Sequence, residues 1–191
     1  QPVVQNRDAI LRKKAHRTLN LHNGDQYIST VEGEIYLLKN NAKKAVKMNT
    51  LETSGKEIAI YPNGKLLIAQ EKNSNWLISY LIAPDGTLQA GQQFYWLHNV
   101  PNRIQSEAHS MFFDTLGNLY AATESGIQIA DQNGRVRAIL PSPEGTIVSM
   151  KMNGNTIYVM NSNGDVFRRE LATQAHNPGN APVTPESQGQ G

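Results

Sequence analysis

From residue 26 onward the chain alternates short apolar runs with polar turns that carry glycine, and the runs have strand length rather than helix length. Only around Asp8 to Lys14 does the pattern predict a short helix; beyond it the three-and-four recurrence of a helix face is lost. The runs "QYISTV", "EIYLLK", "KLLIAQ", "WLISYLIA", "QQFYWL", "NLYAAT", "GIQIAD", "TIYVMN" and "DVFRREL" are rich in Ile, Val, Leu and Tyr. β-Branched and aromatic side chains suit a pleated, half-buried surface, and the Gly, Asn and Asp-Gly residues that bound the runs suit hairpin turns.

The turns repeat. Asn23-Gly24, Asn63-Gly64, Gly117-Asn118 and Asn153-Gly154 each precede an apolar run containing Tyr or Leu, with their glycines 40, 53 and 37 residues apart. A second glycine follows the first by 9 residues at Gly33 and Gly126 and by 10 at Gly164, and Asn41 and Gly134 stand 8 residues further on. The copy at Gly64 has "EKNSNW" in place of the second glycine and then turns at Asp85-Gly86. A period of about 40 to 50 residues with three or four antiparallel strands per period predicts an all-β chain of β-propeller-like blades, four of them recognisable. One four-stranded sheet cannot cover its own apolar faces, whereas radially stacked sheets cover one another. The rival reading is a sandwich or open meander. Tyr27, Tyr120 and Tyr158 occupy matching places and are expected to pack between blades. The predicted organisation is a basic segment or first strand over 1–20, blades over 21–171, and a tail over 172–191 whose Pro, Gly, Gln, Asn and Ser form no core of their own.

Composition removes several classes of function. The chain has 191 residues, 39% of them hydrophobic, with a mean hydropathy of −0.48, and no apolar run approaches the ~20 residues a membrane-spanning helix needs. It has no cysteine, which excludes disulfides, a thiolate nucleophile and a zinc ribbon. The compartment stays open, with a secreted or periplasmic setting preferred to a cytoplasmic one. A net charge of +2 does not point to nucleic acid. The basic residues do cluster at the start, as Arg7, Arg12, Lys13, Lys14 and Arg17 against one acid, Asp8, which reads as a solvated edge or a contact arm. No G-x-S-x-G elbow and no phosphate loop is present. Trp76, Trp96, Phe94 and Tyr95 offer a stacking patch, but alternation in "QQFYWL" divides the last three between two sheet faces, favouring core packing for most.

The segments "EIAIYPNGKLLIAQ", "WLISYLIAPDGTLQAGQQFYWL", "MFFDTLGNLYAATESGIQIADQNGRVRAILPSP" and "NTIYVMNSNGDVFRREL" fall in an order that is similar to the late blades of a known family. From about Leu51 to Leu171 the chain resembles the senescence marker protein, gluconolactonase and luciferin-regenerating enzyme family. The resemblance implies a six-bladed ring, of which four blades are seen, with a divalent metal held at the channel by oxygen ligands: a Glu in an E-G-P context, an Asn before a later blade, the Asn of a P-N-G-I turn and the Asp of a D-G-M turn. Laid on that pattern, "SGKEIAIYPNGK" puts Lys56 at an Asn position and "EAHSMFFD" puts His109 at the carboxylate with Ser110 at the glycine. A looser match puts His16 at the other Asn, Asp114 falls in a turn, and no E-G-P glutamate is found.

Two readings follow. In one, His16 and His109 converge on a softer metal such as zinc or iron with Glu107 as a base. In the other, His109 is a hydrogen-bonded residue lining the channel, no metal is expected, and the Lys56 cation repels one. The expected function is a non-catalytic, gluconolactonase-like propeller that binds a partner protein or an oligomeric assembly. The alternatives are a lactone hydrolase dependent on calcium, magnesium, manganese or zinc, and a propeller that binds a sugar or small metabolite.

Overall fold

The computed structural model describes residues 4–6, 15–48, 53–142 and 144–188, and every regular element among them is a β-strand. The helix predicted at Asp8 to Lys14, and with it Arg7, Arg12, Lys13 and Lys14, lies outside the described residues. In chain order the strands are β1 (Val4–Asn6), β2 (Ala15–Asn20), β3 (Gln26–Thr30), β4 (Ile35–Leu38), β5 (Lys44–Lys47), β6 (Thr53–Ile60), β7 (Leu66–Glu71), β8 (Trp76–Ile82) and β9 (Leu88–Trp96). They continue as β10 (Ser110–Phe113), β11 (Leu119–Thr123), β12 (Gly126–Ala130), β13 (Val136–Leu140), β14 (Ile147–Asn153), β15 (Thr156–Asn161) and β16 (Val166–Glu170). Four antiparallel meanders result: β2 to β5 with β1 added outside β5, β6 to β9, β10 to β13, and β14 to β16. They stand as the four blades of a β-propeller, one for each turn repeat in the sequence.

The recurring turn has a local cause. Asp114 Oδ1 accepts from the backbone N–H of Leu116 at 3.0 Å and of Asn118 at 2.8 Å, while the Gly117 N–H donates back to the Asp114 carbonyl at 3.1 Å. Asp131 makes the same bonds to Asn133, Gly134 and Arg135, and Asn161 to Asn163, Gly164 and Asp165. The short acceptor side chain satisfies the turn's donors, and the residue closing the turn adopts a left-handed φ, +83° at Gly117, where a Cβ would be strained. In the second blade, which lacks that glycine between β7 and β8, Asn73 takes φ +53°, a conformation asparagine tolerates better than most residues.

Three apolar interfaces join the four blades. Leu19, Tyr27, Ile35 and Leu37 of the first pack on Ile58, Ile60, Leu67 and Tyr80 of the second. Ile68, Leu77 and Tyr95 meet Met111, Phe113 and Leu119 of the third. Tyr120, Ala122 and Ile127 meet Ile147, Met150, Ile157 and Val159 of the fourth. Tyr27 and Tyr120 thus pack between blades as expected. Tyr158 does not: it is 36% exposed, and Met160 and Val166 are 41% and 65% exposed. The reason is positional, because no described sheet follows the fourth blade. The aromatic expectation also needs correcting. Of the aromatics in "QQFYWL" only Tyr95 is core, whereas Phe94 and Trp96 are exposed on the outer strand β9, Trp96 edge-on to its cross-strand partner Trp76 at 4.8 Å.

The tail forms no core of its own, yet it is tied down. Ala175 bridges to Asp114, the His176 N–H donates to the Phe113 carbonyl at 2.7 Å, the Val183 N–H donates to the Pro62 carbonyl at 2.8 Å, and Gln132 Nε2 donates to the Glu186 carbonyl at 2.7 Å. These anchors lie where the inner strands β6 and β10 finish, which marks one end of the propeller.

Candidate functional site

The inner strands β2, β6 and β10 begin at the opposite end, and there the singled-out residues gather. His16 is the second residue of β2, Lys56 lies in β6, His109 immediately precedes β10, and Glu107 comes two residues earlier on the loop from blade 2. That loop is fastened by buried amides. Gln70 donates to the Ser106 carbonyl and accepts the Ala108 N–H, Asn75 donates to the Leu97 carbonyl, and Gln128 both accepts from His98 N–H and donates to its carbonyl.

Each of the three basic residues closes on a carboxylate. His16 Nε2 is 2.7 Å from Glu57 Oε1, Lys56 Nζ is 3.2 Å from Glu107 Oε1, and His109 Nε2 is 3.3 Å from Glu124 Oε1. An ionised carboxylate only accepts, so both imidazoles present N–H at Nε2. Arg103 adds a second cation to Glu124 at 3.8 Å. The pairs differ in burial: Glu57 is almost wholly buried, Glu124 largely so, and Lys56 and Glu107 are both well exposed. The exposed pair contributes little to stability; the buried carboxylate is costly to strand.

Sequence reasoning missed Glu124 and, above all, Glu57. Its Oε2 accepts the Met111 N–H at 3.2 Å while Oε1 takes His16, so one carboxylate links the first, second and third blades. Two hydroxyls extend the ring of inner-strand links: Ser29 Oγ donates to the Lys56 carbonyl at 2.7 Å, and Ser110 Oγ accepts the Met150 N–H at 3.3 Å. Ser110, which stands at the glycine of the family turn, thereby ties blade 3 to blade 4. The only advance signal for Glu57 is a charge set against the apolar run Ile58-Ala59-Ile60.

The donors a divalent ion would need are committed within the protein: Lys56 offers no lone pair as a cation, both histidines direct Nε2–H at carboxylates, and those carboxylate oxygens already accept from protein N–H groups. Among the described residues, no three His, Asp or Glu side chains group as metal ligands. Glu107, the candidate base, is held by Lys56 beside a recess of about 260 Å³ lined by Val31, Glu32, Gln70 and Gln105. A larger cavity, about 580 Å³, lies at the other end between blades 1 and 2, walled by Leu21, Tyr27, Ile60, Ile82 and the tail residues His176 and Pro182. Burial pushes the His176 imidazole below its ordinary pKa.

No protein-family model matches the chain, and no curated protein matches it in sequence. Solved structures do. A gluconolactonase from Xanthomonas campestris superposes with a TM-score of 0.65 at 14% identity, covering 83% of this chain and 56% of its own. A luciferin-regenerating enzyme gives 0.66 at 15% identity over 90% of this chain and 64% of its own. Regucalcin from Agrobacterium tumefaciens, a calcium-binding protein, gives 0.61 at 13% identity over 85% and 62%. The chain therefore spans less than two thirds of the length of these relatives in shape, and what it shares with the gluconolactonase, luciferin-regenerating enzyme and regucalcin structures is the β-propeller fold.

Proposed function

We propose that this chain is a non-catalytic propeller of gluconolactonase-like fold that binds a protein partner. The observation that carries the reading is the self-neutralised channel end: His16, Lys56 and His109 each pair with a carboxylate, Glu57, Glu107 and Glu124. Lactone hydrolysis on a metal needs oxygen donors free to hold the ion and a base free to take a proton from water. Here the donors are already bonded to protein N–H groups. Fold likeness does not transfer an activity without its site. The uncovered face of the fourth blade, with Tyr158, Met160 and Val166 exposed, supports the binding half of the reading.

The test is elemental analysis of the purified chain together with a gluconolactone hydrolysis assay, run on the parent and on a Lys56→Asn, His109→Asp double variant. The parent is expected to carry no stoichiometric divalent ion and to show no turnover above buffer. Turnover by the parent that a chelator abolishes would overturn the proposal in favour of a metal-dependent lactone hydrolase.

A further inference from the structure

Among the described residues the strands are unevenly shared: the first blade has five, the second and third four each, and the fourth only three. No described strand pairs with the outer edge of β16, because the chain leaves it at Leu171 and crosses to the third blade, where the Gln174 carbonyl accepts the Thr115 N–H. The edge is regular. β16 pairs with β15 in unbroken register from Met160↔Val166 to Thr156↔Glu170, whereas β9, the outer strand of blade 2, is interrupted by two register shifts. Leu171 N–H donates to the Asn155 carbonyl and Asn161 N–H to the Asp165 carbonyl, so odd-numbered residues of β16 face β15. By alternation the backbone N–H and C=O groups of Val166, Arg168 and Glu170 point outward.

Beside this edge lies an apolar groove of about 260 Å³, floored by Ile127, Ile147, Ile157 and Val159, walled by Leu140 and Phe167, and rimmed by Arg168 and Arg169. In blades 2 and 3 the fourth strand packs Leu88 and Val136 into the equivalent interface, that with the preceding blade. The groove is the space a fourth strand's apolar side chain would fill. Arg168 and Arg169 are exposed, and neither makes an ion pair among the described residues.

We propose that the outer edge of β16 takes up an extended segment of a partner protein as a fourth strand, with an apolar or aromatic side chain seated in the groove and, on the opposite face of that segment, acidic residues beside Arg168. This rests on the partner-binding reading above and names where and what it binds. Strand addition supplies affinity through main-chain bonds and specificity through alternate side chains. Charge selects the occupant. Two copies of this chain pairing edge to edge about Arg168 would set that arginine against itself, and the chain's own opening segment carries Arg7, Arg12, Lys13 and Lys14. An acidic strand meets neither objection.

The test uses two fluorescein-labelled peptides, TVDYEVT and its basic counterpart TVKYKVT, followed by anisotropy against the full chain. The acidic peptide is expected to bind saturably and the basic one about ten-fold more weakly or worse. Arg168→Pro removes one outward donor without touching the ladder to β15 and should abolish binding. The double reversal Arg168→Glu, Arg169→Glu, confirmed as folded by circular dichroism, should invert the preference between the peptides. Equal binding of both peptides would mean mere apolar adhesion and would overturn the proposal, as would self-association in sedimentation that is lost in Arg168→Pro. Failure of both peptides would overturn it while leaving the non-catalytic reading to the metal and hydrolysis assays.

Discussion

Replacing Glu57 by alanine is the sharpest probe of the inner-strand links. The substitution leaves the Met111 N–H without its acceptor at 3.2 Å and His16 Nε2 without its partner at 2.7 Å. Stranding a buried donor costs about 1–3 kcal/mol, and Met111 is fully buried. His16 is about one third exposed and can turn its ring to water, so its share falls at the low end, about 1 kcal/mol. Together these give about 2–4 kcal/mol. The neighbouring Lys56→Ala breaks a pair exposed at both ends and should cost about 0–1 kcal/mol. Glu57→Gln keeps an oxygen for the Met111 N–H, and its amide can donate to His16 Nε2 once the ring proton moves to Nδ1, so it should recover much of the loss. Urea unfolding followed by the fluorescence of Trp76 and Trp96 checks this. With a slope of ~2–3 kcal/mol per molar, Glu57→Ala should lower the midpoint by about 1 M. A shift no larger than that of Lys56→Ala would refute the claim that this carboxylate holds three blades together.

Three further outcomes follow from other parts of the molecule. Tyr27→Phe removes a buried hydroxyl that donates to the Gly86 carbonyl at 2.6 Å and should cost about 1–2 kcal/mol in the same urea assay. Gly126→Ala should cost more than about 3 kcal/mol, because φ is +114° and the new Cβ would lie 2.2 Å from the Leu140 carbonyl oxygen; Gly154→Ala, with φ +59° and nothing within 4 Å, should cost only about 1 kcal/mol, and thermal midpoints separate the two. Burial depresses the His176 pKa, so the unfolded tail binds a proton more readily than the docked one. Docking is therefore complete above the ordinary histidine value of about 6.5 and weakens as pH falls below it toward the depressed folded value. The cavity that His176 lines also holds His22, Asp25 and Lys65, and Asp25 is paired with Lys39. Hydrogen-exchange protection factors over residues 172–188, corrected for the intrinsic pH dependence of exchange, should fall on acidification from about pH 7.5 to about pH 5, and a His176→Phe variant should lose that dependence.

The fold was legible because both of its causes are local. Period-two apolar runs specify strands, and an Asp or Asn three residues before a glycine specifies the turn; each signal lies within five residues of chain. Asn41 and Asn73 take at two turns the left-handed φ that glycine takes at others. The same locality explains the misjudged Tyr158. The packing of Tyr158 depends on whether another sheet stands beside it, and its own strand carries no information on that.

The site was legible only in half, and the missing half is of one kind. His16, Lys56 and His109 were found by laying a family pattern on the chain, which identifies positions but not what answers them. Their partners Glu57, Glu107 and Glu124 are separated from them by 41, 51 and 15 residues, and only the radial arrangement of blades brings them within hydrogen-bond reach. Lys56 shows the consequence. Read alone it is a cation placed to repel another cation; in the fold it is half of an exposed, neutral pair. What governs metal affinity at this channel end is then expected to be the prior commitment of its carboxylates, not net positive charge. Removing their partners should on this view release carboxylates and raise the affinity for a divalent ion, so Lys56→Asn with His109→Asp is expected to gain metal where either Glu107→Gln or Glu124→Gln on the same background does not, as elemental analysis after dialysis would read.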